Sequence, residues 1–286
     1  MNGKLIILIL CVCIYQLQLP ETGHTEEIEM VNRPVNTSGL TGLLTTTSPY
    51  TLELRTLEMA ASILYDDSTM PDYTISEYPV SVSYGISHNS ECALRFSYIT
   101  ISEGPTVTEI TTRKIGDVEL SYKLNIMQQS ETSIRPAIAL FATGIIPTEN
   151  NVDGKTDSPA HGGIRLGLSA GTEINWKNYI LGIYADSQIA GDDLMDTERR
   201  DIYGLLNAGL LLPISKYRNL QMMFEYSLVT QKDLVTLSGG DYTAWTYGLR
   251  LVTEKINLSF GTQFVHKKLE GYDNSGRLIG LMSVKF

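Results

Sequence analysis

The chain is short of cysteine and of charge, and each shortage excludes a class of protein. Only three of its 286 residues are cysteines, and two of them, Cys11 and Cys13, lie in an N-terminal apolar run. Cys92 is left alone, so neither a disulfide framework nor a zinc site made of cysteines can be built. Charged residues make up 19% of the chain, whereas soluble globular domains carry about 25%. A cytosolic enzyme rich in amphipathic helices is therefore disfavoured.

The chain also lacks a basic excess. Lys and Arg number 22 against 32 Asp and Glu, which gives a net charge of −10. A nucleic-acid binder needs a basic face to neutralise phosphates, so this class is excluded. After residue 50 no apolar run is long enough to predict a membrane-spanning helix.

The N-terminus predicts an exported protein. Lys4 precedes the apolar run Leu5–Tyr15, which has the length of a signal-peptide core and is too short for a spanning helix. We assign residues 1–24 to a signal peptide, with a retained anchor as the alternative. Residues 25–53 then form an N-terminal segment. Its small, Thr-rich part, residues 39–49, can be a plug inside the fold, a periplasmic tether or a disordered lead-in.

Beyond this segment, apolar and polar residues alternate, and this alternation predicts β-strands. The clearest run has Val118, Leu120, Tyr122, Leu124 and Ile126 on one face, with charged and polar residues between them. Short polar turns, including residues 88–91, alternate along the chain with longer polar connections, which include residues 66–77, 103–114 and 147–161. Short periplasmic turns and long external loops are typical of outer-membrane barrels.

These patterns predict an all-β fold over residues 54–286, a transmembrane antiparallel up-and-down β-barrel of about 12 strands. A secreted soluble sandwich is the alternative, because its strands alternate too. Tyr and Trp near strand ends favour the barrel, since aromatic girdles mark membrane interfaces. The terminal Phe286 after an alternating strand resembles the signal by which barrels are delivered to the outer membrane. We therefore expect location in the bacterial outer membrane, with its lipid and the barrel-assembly machinery as partners.

A family resemblance supports the same architecture. Residues 116–124 read GDVELSYKL, followed by Pro136–Leu140 (PAIAL) and Pro147-Thr148. They resemble a strand pair of the outer-membrane transporter-like family of the meta-pathway of phenol degradation, which is related to long-chain fatty acid transporter-type barrels. Two positions differ from the family pattern. Tyr122 precedes Lys123 here instead of following it, and Glu149 stands where the family has Gly. The resemblance implies a passive route for small molecules, hydrophobic ones among them, and supplies no catalytic residues.

Charged residues on the polar strand faces are the candidate functional residues. In a barrel they would line the lumen and set its electrostatic field, unless acids and bases pair and neutralise it, which the cost of an unpaired charge favours. The lumen-lining candidates are Glu58, Arg95, Glu119, Lys123, Arg135, Arg165, Glu225 and Arg250.

The sequence thus predicts a passive channel or transporter. The alternative is a structural or surface-interaction barrel that transports nothing. A surface hydrolase using His266 with Ser238 or Ser275 is a weaker third hypothesis, because no motif connects these residues. We expect no enzyme activity, no metal and no cofactor.

Overall fold

The computed structural model describes residues 34–69, 72–103, 110–129, 135–148, 163–176, 179–192, 201–214, 219–233, 239–267 and 275–286. The predicted signal peptide lies outside the described residues, as do the first residues of the N-terminal segment. Among the described residues, no helix is long and apolar enough to cross a membrane.

The described chain after residue 56 is built from β-strands. Their bounds are β1 Leu57–Thr69, β2 Asp72–Ser87, β3 Ser90–Glu103, β4 Ile110–Ile115, β5 Val118–Met127, β6 Ala137–Ile146, β7 Gly163–Trp176, β8 Tyr179–Asp192, β9 Asp201–Pro213, β10 Leu220–Asp233, β11 Gly239–Val252, β12 Ile256–Lys267 and β13 Ser275–Lys285.

These strands form one closed antiparallel barrel. Apart from β4, which pairs with β3 alone among the described strands, each strand pairs with a neighbour on both sides, and β1 pairs with β13, so the ring of strands is closed. β4 and β5 share one position in the sheet, because both pair with β3 and only Gly116 and Asp117 lie between them. The barrel therefore has twelve strand positions, and the predicted fold class is confirmed.

The two faces of the wall differ as the alternation predicts. Leu94, Phe96, Leu168 and Phe260 are exposed on the outside, whereas Ser81, Ser121 and Ser169 are buried inside. Aromatic side chains also contact one another on the outer face: the ring centroids of Tyr226 and Trp245 are 4.7 Å apart. The barrel thus has an apolar outer surface around a largely polar interior.

The strands extend further than the polarity of the sequence suggests. We expected residues 66–77 to form a long connection, but β1 continues to Thr69 and β2 begins at Asp72. Asp66 and Glu77 are inward-facing strand residues. Asp66 pairs with Arg277 at 2.9 Å, and Glu77 pairs with Arg95 at 2.5 Å.

Candidate functional site

The interior of the barrel is occupied by residues 34–53, which we call the plug. Val35, Leu40, Leu43 and Leu44 are at most 1% exposed, although they precede the first strand. The plug is folded on itself by isolated bridges between Val35 and Thr41 and between Gly42 and Thr47. Gly39 has a φ of 85°, in the left-handed region that favours glycine. The plug is thus an ordered element seated inside the wall.

Both ends of the plug lie at the mouth formed by the short turns. The Val35 amide donates to Glu58, the second residue of β1, and the Leu52 amide donates to Glu91, the second residue of β3. These strands begin at the same mouth, because β1 follows the plug directly and β3 follows the tight turn after β2. The plug therefore enters and leaves the barrel at one mouth.

Carboxylates of the wall bind the backbone N–H groups of the plug. Glu225 accepts hydrogen bonds from the amides of residues 44, 45 and 46 at 3.0, 3.0 and 2.6 Å, and from the Thr45 hydroxyl at 2.8 Å. Asp186 accepts from the Thr47 amide at 2.7 Å. Glu91 accepts from the Thr41 amide at 2.9 Å. Hydrogen bonds to charged groups are stronger than neutral ones, so these carboxylates hold a segment that makes few regular backbone pairs.

Basic side chains of the wall bind the plug carbonyls. Arg250 is fully buried and donates to the carbonyls of Gly42 and Leu43 at 2.9 and 2.8 Å. Lys123 donates to the carbonyls of Thr41 and Ser48 at 3.2 and 3.1 Å and pairs with Glu91 at 2.8 Å. Both side chains of this ion pair are inaccessible to solvent. The wall therefore meets the plug with charges of both signs.

Glycines of the wall make room for the plug leucines. A Cβ atom at Gly209 would collide with Leu43, and a Cβ atom at Gly248 or Gly261 would collide with Leu44. Leu43 and Leu44 also belong to a buried cluster with Tyr50, Tyr184, Leu211 and Met223. The plug is therefore held by apolar packing in addition to its polar contacts.

A second group of charges lies beside the plug on β2, β3, β5 and β7. Arg95 donates to Glu77 at 2.5 Å and to Glu119 at 2.8 Å, and Arg165 lies 3.6 Å from Glu119. Arg95 also donates to the Thr37 carbonyl at 3.0 Å. This chain of ion pairs is partly exposed.

The structure places seven of the eight lumen-lining candidates on the inner face. These are Glu58, Arg95, Glu119, Lys123, Arg165, Glu225 and Arg250. Arg135 differs: it is exposed and precedes β6, because the strand begins only at Ala137. Phe286 is also exposed and exchanges backbone hydrogen bonds with Leu57, where the barrel closes.

Sequence reasoning missed two carboxylates that bind the plug. Asp186 lies in β8, where Tyr184, Asp186 and Gln188 share the inward face. The alternation of residues in β8 could have identified Asp186 as an inward-facing residue. Glu91 was assigned to the turn at residues 88–91, but it lies in β3. The plug contacts themselves carry no signal in a single sequence.

The structure gives no support to a hydrolase or a metal site among the described residues. His266 is exposed on the outside of β12, whereas Ser275 is buried on the inner face of β13. The other proposed nucleophile, Ser238, lies outside the described residues. No group of three or more His, Cys, Asp and Glu residues in the described part of the chain is arranged to hold a metal ion.

No family model matches the chain, and no curated protein matches it in sequence. Solved structures are similar to it in fold. An outer membrane channel from Pseudomonas putida F1 has a TM-score of 0.62 at 10% identity, covering 83% of this chain and 97% of that chain. The NanC porin has a TM-score of 0.54 at 10% identity, covering 80% of this chain and 100% of that chain. The β domain of the Bordetella autotransporter Brka has a TM-score of 0.51 at 8% identity, covering 80% and 99%.

At such low identity the likeness shows the fold alone. That fold is the outer-membrane type of β-barrel, so the wider part of the family resemblance is supported. The comparisons do not identify the narrower meta-pathway family.

Proposed function

We propose that the protein is a passive channel of the bacterial outer membrane whose resting state is closed by the plug. The observation that carries this proposal is a charged inner wall covered by a separate segment that enters and leaves at one mouth. Such a segment can withdraw without threading through the barrel. Withdrawal would expose a polar path along the wall, and the similarity to a channel and a porin supports this use of the fold.

The apolar outer face supports an outer-membrane location. Exposed Leu, Ile and Phe side chains on a closed barrel suit contact with lipid, and the pairing of β1 with β13 leaves neither of these two strands with an unpaired edge in the bilayer. A removed signal peptide over residues 1–24 and recognition of Phe286 by the barrel-assembly machinery belong to the same proposal.

Small molecules are the proposed cargo. The family resemblance implies that hydrophobic compounds can be among these molecules, and hydrophobic cargo stays a prediction. The described inner wall favours polar solutes instead, because Glu58, Lys123, Glu225 and Arg250 are buried there.

A structural barrel that transports nothing is the second candidate. The observation that favours it is the fit of the plug, whose leucines occupy glycine niches and whose backbone groups bind buried charges. A permanently seated plug would leave the protein as a membrane scaffold. Neither candidate involves catalysis.

Conductance across a planar bilayer distinguishes the two candidates. We expect little or no steady current from the wild type. Replacing Leu43 and Leu44 together by serine should produce a steady current, because burial of each leucine contributes about 2–5 kcal/mol to seating the plug. Leu54→Ser is the matched control, since Leu54 lies outside the plug and is only half-buried.

The control should conduct like the wild type. A silent double variant that still folds as a barrel would favour the structural alternative. A wild type that already conducts like a wide porin would show that the plug does not close the lumen.

A further inference from the structure

The part of the wall beneath plug residues 44–47 has properties of a ligand site. Asp186 on β8, Asn207 on β9 and Glu225 on β10 are each at most 2% exposed. The register places Asn207 opposite Asp186 and Gly209 opposite Glu225, so the three side chains occupy adjacent strands at nearly the same height. We call these three residues the acidic patch.

The plug shows which groups the acidic patch binds. Besides Gln188 and Asn207 of the wall, which donate to Asp186, five donors of the plug reach these carboxylates: the amides of residues 44–47 and the hydroxyl of Thr45. All five are N–H or O–H groups. Asn207 points its amide nitrogen at both Asp186 oxygens, at 3.1 and 3.2 Å, which leaves its own oxygen Oδ1 as a buried acceptor without a partner. The patch therefore offers further capacity for a hydrogen-bond donor.

The charges that remain after the plug leaves are mainly negative. Lys123 keeps Glu91 as its partner, and Arg95 keeps Glu77 and Glu119. Among the described residues, by contrast, neither Asp186 nor Glu225 forms an ion pair with a Lys or Arg nitrogen within 4.0 Å. The charge of Arg250 interacts with both Glu225 and Glu58, and Glu58 also interacts with the charge of Lys285. The two carboxylates of the acidic patch, Asp186 and Glu225, then face one guanidinium.

We propose that the acidic patch binds the ammonium group of small cationic amines when the plug is withdrawn, and that it makes the open channel cation-selective. This inference rests on the proposed function and names its substrate class. An alkylammonium group carries three N–H donors and a positive charge, so it replaces the plug amides and supplies the counter-charge that they lack. Neutral amides bind carboxylates more weakly than ammonium groups do.

The test uses the full chain with Leu43 and Leu44 replaced by serine, and Gly209→Val as a second plug-releasing variant that acts from the wall. The probe is 1,4-diaminobutane, and the neutral control is 1,4-butanediol, which has the same chain length. Calorimetry in detergent measures binding, and the reversal potential in a KCl gradient measures ion selectivity.

We expect both plug-releasing variants to bind the diamine but not the diol, and to favour K⁺ over Cl⁻. Adding Asp186→Asn and Glu225→Gln should weaken diamine binding about tenfold or more, because two charge-assisted contacts are lost, and should bring the K⁺ to Cl⁻ permeability ratio close to one. Glu77→Gln is the matched control, since it removes a wall carboxylate outside the patch, and it should leave diamine binding unchanged.

The outcomes separate this inference from the proposed function. A plug-released barrel that conducts without ion preference and does not bind the diamine overturns the acidic patch and leaves the channel intact. A barrel that binds the diamine through Asp186 and Glu225 but passes no current supports the site and overturns the channel. Equal diamine binding before and after the Asp186 and Glu225 substitutions overturns the site.

Discussion

Glu225 is a wall side chain that binds the backbone of the plug, and its role follows from its burial. The carboxylate is 2% exposed and accepts four hydrogen bonds from consecutive plug residues. A buried carboxylate is costly unless donors surround it, and backbone amides are costly to bury without acceptors. Each partner therefore removes the desolvation penalty of the other. Three of these four bonds come from the main chain of the plug, so they do not depend on the side chain of residue 46, whereas the fourth requires the hydroxyl of Thr45.

Glu225→Ala is expected to loosen the plug by about 3–5 kcal/mol, the usual effect of removing one partner of a buried charged contact. The measurement is the labelling rate of a cysteine placed at Ser48, which is fully buried in the plug, in a background with Cys92→Ser. The label should react faster in Glu225→Ala. Glu53→Ala removes an exposed carboxylate at the last residue of the plug and should leave the rate unchanged. Equal rates in both variants would mean that Glu225 does not hold the plug.

At the scale of elements, the fit between the plug and the wall depends on glycines in the strands, because a glycine has no side chain to fill the space that the plug occupies. The Cβ position of Gly209 is filled by the side chain of Leu43, and the Thr46 hydroxyl lies 3.1 Å from the same position. Glycine weakens a strand through its backbone entropy and its missing side chain. Here it marks the close approach of a second element.

Gly209→Val should therefore unseat the plug while the barrel still forms, because the collision involves plug atoms and leaves the backbone of the wall free. Gly280→Val is the matched control, since a Cβ atom at Gly280 meets nothing within 4 Å. Accelerated labelling at residue 48 for Gly209→Val alone is the expected result. If both valines leave labelling slow, the niche is not needed for seating.

The strands and the plug show which parts of the structure the sequence predicts and which it does not. Alternation in β5, with Leu120 and Tyr122 outward and Ser121 and Lys123 inward, predicts the strand and both of its faces correctly, because the period of two is a local property. The sequence predicts the ends of β1 and β2 wrongly, because Asp66 and Glu77 have the polarity of loop residues but are paired inside the barrel. The plug was one of three alternatives, because its partners lie up to 208 residues away.

At the scale of the whole molecule, the distribution of exposed apolar side chains implies a lipid environment. Leu168 in the middle of β7 and Ile174 near its short-turn end lie on the same outer face, with 45% and 39% of their surface exposed. In a bilayer the first lies near the midplane and the second near an interface. In water a charged residue would cost the same stability at the two positions.

Leu168→Arg should destabilise the barrel in lipid vesicles by about 2–4 kcal/mol, and Ile174→Arg by about 0–1 kcal/mol, because the cost of a charge falls from the midplane towards the interface. Reversible unfolding in denaturant measures both. Equal costs would contradict the assumed position of the membrane.

The single mouth used by both ends of the plug also sets an order of assembly. The plug comes first in the chain, yet its hydrogen bonds to Asp186, Glu225 and Arg250 span 139 to 208 residues. Joining such distant residues early carries a loop-closure cost, and those strands have no fixed inner face until the barrel closes. Because β13 must pair with β1 before the wall is complete, the first segment made is the last to find its place. We therefore expect each molecule to form an empty barrel before the plug is seated.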